Sequence, residues 1–252
     1  MTPSPRIALV TGAGSGIGKA CTLALLEEGW HVVMVGRRPH ALQQVVEEAG
    51  AAGDRTVPMA ADVGDEAQVA AVFDAVRQRF GRLDLLFNNA GIFPSAATPD
   101  ALSGEVWRRA VDANLNGAFY CLSQAFRLMR EQSPMGGRII NNGSISAHAP
   151  RPGSIAYTAT KHAITGMTKA ASLDGRAFDI AVGQIDIGNA ASEMTTGMAQ
   201  GILQADGSVR QEPRMDMSAV VQTFMAMVRL PLQANVLFTT VMATTMPFVG
   251  RG

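Results

Sequence analysis

A glycine-rich turn near the start of the chain limits the fold more than any other feature of the sequence. The apolar run Ile7–Val10 leads directly into Thr11-Gly12-Ala13-Gly14-Ser15-Gly16-Ile17-Gly18, and an apolar-periodic helix follows to about Glu28. A strand, a glycine-rich turn and a helix in this order leave free amides at the helix N-terminus, where the dipole favours an anion. The glycines let the backbone approach a pyrophosphate closely. The stretch predicts a dinucleotide-binding unit, with a plain glycine-rich turn as the alternative.

Strands and helices alternate along the rest of the chain. Further strands are predicted at His31–Val35, Thr56–Ala61, Leu83–Phe87, Gly137–Asn141, Ile180–Ile187 and Asn235–Ala243. Helical patterns are predicted at about 40–52, 65–80, 104–131, 156–171 and 218–230. Alternation at this spacing indicates βαβ units, which build a parallel sheet with helices on both faces. We therefore predict one Rossmann-like α/β domain over residues 1–252, with a doubly wound parallel sheet of about seven strands.

The composition narrows the class of function. Lys+Arg and Asp+Glu both number 21, which gives no reason to expect nucleic acid or an anionic membrane as partner. No apolar run approaches the ~20 residues of a membrane helix, and residues 1–6 do not resemble a signal peptide. Cys21 and Cys121 fall in helical patterns and are predicted to be buried free thiols, which fits a cytoplasmic location. Because no His/Cys cluster has metal-ligand spacing, we expect no metal.

Two arginines follow the second predicted strand, in Gly36-Arg37-Arg38. In a dinucleotide-binding unit an acidic residue here holds the ribose 2′-hydroxyl of NAD, and this chain lacks it. A guanidinium suits a phosphate, so Arg37 and Arg38 favour NADP(H) over NAD(H), although NAD(H) remains an alternative. Surface arginines at the start of a helix are the alternative interpretation of this pair.

Tyr157 and Lys161 lie four residues apart in a predicted helix. Residues at i and i+4 share one helix face, so the phenol and the ammonium point the same way. A tyrosine titrates near ~10, and a nearby cation lowers that pKa. A tyrosine tuned towards neutrality can exchange a proton with an alcohol or carbonyl oxygen. A solvated lysine beside a half-buried tyrosine is the alternative.

Taken together, these motifs resemble the short-chain dehydrogenase/reductase family over essentially the whole chain. The residues that carry the resemblance are Thr11 to Gly18, Asp62-Val63, Asn88-Asn89-Ala90-Gly91, Asn114, Ser144, Tyr157 and Lys161. The resemblance implies an NADP-dependent oxidoreductase that interconverts a secondary alcohol, or a 3-hydroxy compound, and the corresponding ketone. It leaves open a 3-oxoacyl reductase, an activity like that of 3-hydroxy-acid dehydrogenases, or a non-catalytic NADP-binding regulator.

The resemblance also implies roles for four residues. Tyr157 is expected to be the general acid/base, and Lys161 to bind the nicotinamide ribose and lower the Tyr157 pKa. Ser144, thirteen residues before Tyr157, is expected to orient the substrate carbonyl, with Ser146 as its competitor. Asn114 is expected to interrupt its helix and hold a water that links Lys161 to solvent.

The cofactor is expected to contact residues from several strand ends. The resemblance assigns it Gly12, Ser15, Gly16, Ile17, Gly18, Arg37, Arg38, Asp62, Val63, Asn89, Ala90, Gly91, Tyr157, Lys161, Ile187, Gly188, Ala190 and Ser192. The chain departs from the family pattern in three places, one of which is Ser192, where a threonine commonly meets the cofactor. Ile187-Gly188 replaces a usual Pro-Gly, and Gly143 replaces a residue that is often serine. Since Ser144, Tyr157 and Lys161 are all present, catalysis is still expected.

Residues 189–215 break the strand–helix alternation and are predicted to form a mobile substrate-binding loop. Asp206-Gly207 within it predicts a hairpin turn. Several other residues have two interpretations: substrate contact or surface for His148, Arg151 and Arg214, and pocket wall or core for Trp107, Met194 and Met198. The family resemblance also implies a small-molecule carbonyl or alcohol as substrate. It further implies a homodimer or homotetramer formed through the helices at about Gly104–Glu131 and Ala156–Arg176.

Overall fold

Strand β1 lies in the interior of the sheet, between β2 and β4, and all five of its residues are buried. The computed structural model describes residues 5–192 and 201–249. The strands are β1 (Ile7–Thr11), β2 (His31–Gly36), β3 (Thr56–Ala60), β4 (Leu85–Asn88), β5 (Gly137–Asn142), β6 (Ile180–Ile187), β7 (Ile202–Leu203), β8 (Val209–Arg210) and β9 (Phe238–Val241). The α-helices are α1 (Gly16–Glu27), α2 (Pro39–Glu48), α3 (Glu66–Phe80), α4 (Gly104–Val111), α5 (Gly117–Glu131), α6 (Ile155–Asp174) and α7 (Met217–Val228).

Seven strands form one parallel sheet in the order β3-β2-β1-β4-β5-β6-β9. The order reverses between β1 and β4, which opens a crevice at the carboxyl ends of these two strands. The predicted fold class, a single doubly wound α/β domain, is therefore confirmed. In the described ranges no helix combines the length and the apolar character needed to cross a bilayer.

Alternate side chains of β1 pack into two separate hydrophobic cores, one on each face of the sheet. Ala8 and Val10 pack into the cluster beneath α1 and α7, while Ile7 and Leu9 pack into the cluster that contains residues of α3 and α5. Successive side chains of a strand point to opposite faces, so a strand with apolar residues at every position needs helices on both sides. Strand β1 therefore contributes to the core on both faces of the sheet.

Several element boundaries differ from the prediction. The predicted helix 104–131 is divided into α4, a π-helical turn at Asp112–Asn116, and α5. The last strand is shorter than predicted, and β4 begins two residues later. By contrast, β6 has the predicted bounds, and β7 and β8 pair antiparallel around the predicted Asp206-Gly207 turn. The predicted burial of the free thiols Cys21 and Cys121 is confirmed.

Candidate active site

The glycine turn after β1 packs α1 directly against the neighbouring strand end. A Cβ atom on Gly18 would lie 2.3 Å from the Gly12 carbonyl oxygen and 2.6 Å from the Asn89 side-chain nitrogen. Only glycine therefore fits at this position, which is the close helix–strand packing that a dinucleotide-binding turn requires. Gly18 is in this way a packing residue behind the turn and not part of the cavity wall.

Thr11 fixes the separation of β1 and β4 at the crevice. Its Oγ1 accepts hydrogen bonds from the backbone N–H groups of Asn89 and Ala90, both at 2.9 Å. The Asn89 side chain returns a hydrogen bond to the Thr11 carbonyl at 2.8 Å. Thr11 itself is completely buried, so these bonds are shielded from water.

A cavity of about 400 Å³ runs along the carboxyl ends of the strands. The predicted site residues that line it are Gly12, Ser15, Gly16, Ile17, Arg37, Arg38, Asp62, Val63, Asn89, Ala90, Gly91, Ser144, Tyr157, Lys161, Ile187, Gly188, Ala190 and Ser192. Gly18 and Asn114 are the two predicted residues that lie behind the wall. The cradle, which has no room for a Cβ at Gly18, and the exposed arginines beside it fit a dinucleotide. In the described part of the chain no group of three or more His, Cys, Asp or Glu side chains could hold a metal ion.

The arginines at the end of β2 face the outer part of this cavity. Arg37 lies 3.9 Å from the Asp62 carboxylate, and its side chain is 64% exposed. Arg38 approaches the Ser15 hydroxyl at 3.4 Å across the cavity mouth. Both contacts are long and solvent-exposed, so the guanidinium groups remain accessible to an anion.

Asn114 sits in the π-helical turn and is buried. Its Oδ1 accepts from the Ile92 N–H at 2.7 Å, and its Nδ2 donates to the Ile92 carbonyl at 2.9 Å. The predicted interruption of the helix is therefore confirmed, because the π turn aims this amide at the segment that follows β4. That Asn114 holds a water linking Lys161 to solvent stays a prediction.

Tyr157 and Lys161 share one face of α6 at the inner end of the cavity. The Lys161 ammonium donates to the Asn142 carbonyl at 2.6 Å and lies 5.6 Å from the centre of the Tyr157 ring. Burial lowers the pKa of Lys161 to about 8, against an opposing effect of Asp186. With that pKa the Lys161 side chain still carries its charge at neutral pH but loses it at a lower pH than an exposed lysine does.

The predicted direction of the Tyr157 pKa is wrong for the chain without bound cofactor. Burial raises the pKa of Tyr157 above its ordinary value and outweighs the hydrogen bond with Ser144 and the charge of Arg151, which lower it. The reason is that the phenolate loses hydration, and partly buried neighbours do not replace it fully. The i, i+4 spacing correctly predicts that Lys161 lies near Tyr157, but it does not predict how far the site excludes water.

Comparison with known proteins agrees with this geometry. Residues 6–202 match the sequence profile of the family described as short chain dehydrogenase. The chain belongs to the short-chain dehydrogenase/reductase family. A 3β-hydroxysteroid dehydrogenase of Mediterraneibacter gnavus is 40% identical over 172 residues, a match that covers 67% of this chain and 60% of that protein.

Solved structures of similar overall shape span nearly the whole chain. A closed form of serine dehydrogenase complexed with NADP+ has a TM-score of 0.85 at 26% identity and covers 97% of both chains. A 3-ketoacyl-(acyl-carrier-protein) reductase from Brucella melitensis complexed with NADH has a TM-score of 0.82 at 26% identity, covering 94% of this chain and 96% of that one. This short-chain dehydrogenase/reductase therefore resembles proteins solved with either nicotinamide cofactor.

The sequence of this short-chain dehydrogenase/reductase did not reveal one group of buried polar residues beside Ser144. Asp186 and Gln184 on β6 are both almost completely buried, and Asp186 accepts from the Ser144 N–H at 2.9 Å. His148, predicted as a surface residue with substrate contact as the alternative, lies 2.9 Å from the same carboxylate. Two features of the sequence could have indicated this group. One is the acidic residue Asp186 inside the apolar run of β6, and the other is Gly143, which departs from the family pattern.

Arg151 was also interpreted only as a substrate or surface residue. It is buried, lines the cavity, and forms an ion pair with Glu212, which follows β8. The amide of Asn189 bonds to both, at 3.0 Å from Arg151 and 2.8 Å from Glu212. Burial raises the pKa of Glu212, but the hydrogen bond from Asn189 and the charge of Arg151 outweigh it and keep that pKa below its ordinary value.

Trp107 on α4 is 39% exposed and lies neither in the core nor on the cavity wall. Arg214 is exposed. Met194 and Met198 lie outside the described residues. Phe93, which sequence reasoning did not single out, lines the cavity with its ring centre 4.7 Å from that of Tyr157.

Proposed function

We propose that this protein is an NADP(H)-dependent oxidoreductase that interconverts a secondary alcohol and a ketone. The observation that carries the proposal is that Ser144, Tyr157 and Lys161 line the same cavity as the glycine turn. A proton-transfer group and a dinucleotide cradle within one cavity are what reduction of a carbonyl requires. The hydroxysteroid, ketoacyl and serine substrates in the names of related proteins all carry a hydroxyl or keto group.

In this proposal Tyr157 gives a proton to the carbonyl oxygen during reduction and takes it from the alcohol during oxidation. NADP(H), when bound, supplies or accepts the hydride. Ser144 holds the substrate oxygen, and Lys161 stabilises the charge that develops on Tyr157 as its proton leaves. Because burial raises the pKa of Tyr157, the phenol is its main form at neutral pH. Reduction is then favoured at neutral pH, and alcohol oxidation increases as the pH rises towards that pKa.

The preference for NADP(H) over NAD(H) is supported by the exposed arginines at the end of β2. Arg37 and Arg38 line the cavity where Gly36 ends the strand. The carboxylate nearest to Arg37 is that of Asp62, at 3.9 Å, which is too distant for a hydrogen bond. A 2′-phosphate would offer both guanidinium groups a better acceptor. NAD(H) remains the alternative.

An uncharged substrate fits the inner cavity better than an acid. Two buried cations line the inner cavity, and both already have partners: Arg151 is paired with Glu212, and Lys161 donates to the Asn142 carbonyl. A 3-hydroxy acid would have to displace Glu212, whereas a neutral alcohol would not. The Phe93 and Ile145 side chains supply apolar walls. Within this class we place neutral ketones ahead of 3-oxo and 3-hydroxy acids.

The experiment is a ketone panel assayed by consumption of NADPH and, separately, of NADH. It includes ethyl acetoacetate and acetoacetate, which present the same 3-oxo group in neutral and anionic form, together with cyclohexanone. We expect turnover with NADPH and a higher kcat/KM for the ester than for the acid. Binding of NADPH without turnover of any ketone would favour a non-catalytic NADP-binding regulator, and preference for the acid would favour the 3-hydroxy-acid alternative.

We also propose a substrate-binding role for the segment 189–215 and a homodimer or homotetramer in the cytoplasm. The segment contributes Asn189, Ala190 and Ser192 to the cavity wall, and Glu212 ties its far end to Arg151. The helices expected at the subunit interface carry exposed apolar side chains, including Phe119 and Leu173. Analytical ultracentrifugation checks the assembly, since a monomer at all concentrations would contradict it.

A further inference from the structure

Asp186 is a buried carboxylate in the penultimate position of β6, only 1% exposed. Burying a carboxylate costs several kcal/mol unless hydrogen bonds replace its hydration. An acidic side chain in the interior of this site therefore needs a set of donors, and three of them can be identified.

The donors come from three different parts of the fold. Oδ1 accepts from the Ser144 N–H at 2.9 Å and from the Gln184 side-chain nitrogen at 2.7 Å. Oδ2 lies 2.9 Å from Nε2 of His148, whose ring is 45% exposed. A ring that carries its proton on Nε2 donates to the carboxylate, so His148 supplies the third hydrogen bond from the solvent side.

The backbone next to Ser144 is shaped around this carboxylate. A Cβ atom on Gly143 would lie 2.0 Å from Asp186 Oδ1 and 2.6 Å from the Gln184 side-chain nitrogen. Glycine at position 143 is thus a requirement of Asp186. The acidic side chain in β6 and the glycine before Ser144 are therefore one structural feature.

Gln184 connects Asp186 to a row of buried polar side chains that come from β4, β5, β6 and α6. The row runs through Asn88, Asn141, Thr168, Gln184 and Asp186, each hydrogen-bonded to the next. All five are less than 10% exposed. A fully bonded buried network is rigid, because moving one member leaves its neighbours unsatisfied. Asp186 is therefore held in place by Gln184 of this network on one side and by His148 on the other.

Asp186 acts on both residues that the proposed function assigns to proton transfer. Its negative charge raises the pKa of Tyr157 and of Lys161. The other charged group that acts on Tyr157 is Arg151, which is paired with Glu212. His148 is the ionisable side chain in contact with Asp186 itself, and on its other side it packs against the uncharged ring of Phe248.

We propose that Asp186 is a positioning residue for the reaction, held by His148, and that it fixes the backbone of Ser144 while setting the charge around Tyr157 and Lys161. The hydrogen bond to the Ser144 N–H determines where the Ser144 hydroxyl points. The carboxylate keeps Lys161 charged against its burial and keeps Tyr157 protonated until the substrate is in place. The inference rests on the proposed function and adds two residues to it, neither of which lines the cavity.

The first test reads Tyr157 directly, without substrate. The chain has two tyrosines, so the Tyr120→Phe variant leaves Tyr157 as the only one, and its ionisation can be followed by tyrosinate absorbance. In that background Asp186→Asn keeps the shape and the acceptor oxygen but removes the charge. We expect the Tyr157 midpoint to move to lower pH. Asp74→Asn, the same change at an exposed position of α3, is the control and leaves the midpoint unmoved.

The second test separates the hydrogen bond of His148 from its charge. His148→Ala removes the donor to Asp186, and we expect kcat for ketone reduction to fall about ten-fold, as the loss of ~1.4 kcal/mol implies. His148→Gln can donate to Oδ2 without ionising and should recover most of that loss. Asp186→Ala should lower kcat by on the order of 10²-fold through misplacement of Ser144, with the Kd for NADPH unchanged.

Each result bears on one proposal only. A Tyr157 midpoint that stays in place or rises in Asp186→Asn overturns the charge role, whether or not any ketone is turned over. Equal kcat values in His148→Ala, His148→Gln and the parent overturn the positioning role. If the parent turns over no ketone, the proposed function fails, while the absorbance titration still tests Asp186. Circular dichroism checks that each variant is folded.

Discussion

The two ends of the cavity are built by different means. At the outer end, Gly12, Gly16 and the exposed Arg37 form the wall, and the fixed groups are backbone amides. At the inner end the wall is formed by Ser144, Lys161 and other side chains that are buried and bonded to one another through polar residues of β5, β6 and α6. The outer end recognises a ligand by shape and charge, whereas the inner end holds a few atoms in fixed positions.

Because of this difference, we expect substitutions at the inner end to change activity or stability more than substitutions at the outer end change affinity. Groups at the outer end are hydrated and act independently, so each contributes a modest amount of affinity. Groups at the inner end share hydrogen bonds and exclude water, so removal of one affects several others. The predictions below test this contrast.

The largest effect is expected for Tyr157→Phe. Removal of the general acid/base should lower kcat by roughly 10²–10⁴-fold, while NADPH binding stays unchanged. Tyr120→Phe, the same change on α5 away from the cavity wall, is the matched control. Steady-state kinetics with the best ketone of the panel measures both. Near-parental turnover in Tyr157→Phe would remove the proposed role from this residue.

Gly143→Ala tests whether the inner end is as tightly packed as the structure indicates. The added Cβ meets Asp186 Oδ1 at 2.0 Å, so we expect a loss of unfolding free energy of about 1–3 kcal/mol and lower activity. Gly166→Ala is the control, because nothing lies within 4 Å of its Cβ and the helix should gain ~0.5–1 kcal/mol. Urea denaturation compares the two. Equal free energies of unfolding for the two variants would contradict the prediction, because they would mean that Asp186 and Gln184 move aside at little cost.

Arg37→Ala and Arg38→Ala test the outer end. Each should weaken NADPH binding about ten-fold, a loss of ~1.4 kcal/mol, and leave NADH binding unchanged. Arg176→Ala, an exposed arginine in the segment that precedes β6, is the control. Fluorescence titration with both cofactors gives the affinities. Parallel losses for NADPH and NADH would contradict recognition of a 2′-phosphate.

Lys161→Met should show the smallest effect, on stability. Burial depresses the pKa of Lys161 from 10.5 to about 8, so the charged lysine destabilises the cofactor-free fold at neutral pH. The substitution should raise the free energy of unfolding by about 0.5–2 kcal/mol.

The pH dependence of that gain follows from proton binding. Between pH 8 and 10.5 the unfolded chain binds the extra proton, so this penalty on the parent disappears as the pH rises through that window. Lys161→Met should therefore be more stable than the parent below pH 8 and lose its advantage towards pH 10.5. Chemical denaturation at several pH values checks the trend, and an advantage that grows with pH would contradict it.

The same contrast explains what the sequence could predict. The fold and the outer end depend on residues that are close along the chain, such as the turn from Thr11 to Gly18 and the apolar run of β6. Both were predicted from local pattern, and the bounds of β6 agree with the structure. Shape and periodicity are local properties, so a single sequence contains them.

The inner end depends on contacts between residues that are far apart in sequence. Asp186 meets Ser144 across 42 positions, and Arg151 meets Glu212 across 61. No periodicity marks such pairs, and the direction of the Tyr157 pKa depends on how completely they exclude water. The sequence did contain one signal, since Gly143 and Asp186 are both unusual where they stand, but only the coordinates join them.

Thr11 has a further consequence for the energetics of nucleotide capture. One hydroxyl accepts two amides from the adjacent strand end, so the gap at the switch point has its final width before any ligand arrives. Capture then costs little conformational entropy on this side of the cleft. A valine at position 11 would keep the strand and most of its volume, yet leave both amides without an acceptor and the gap free to vary.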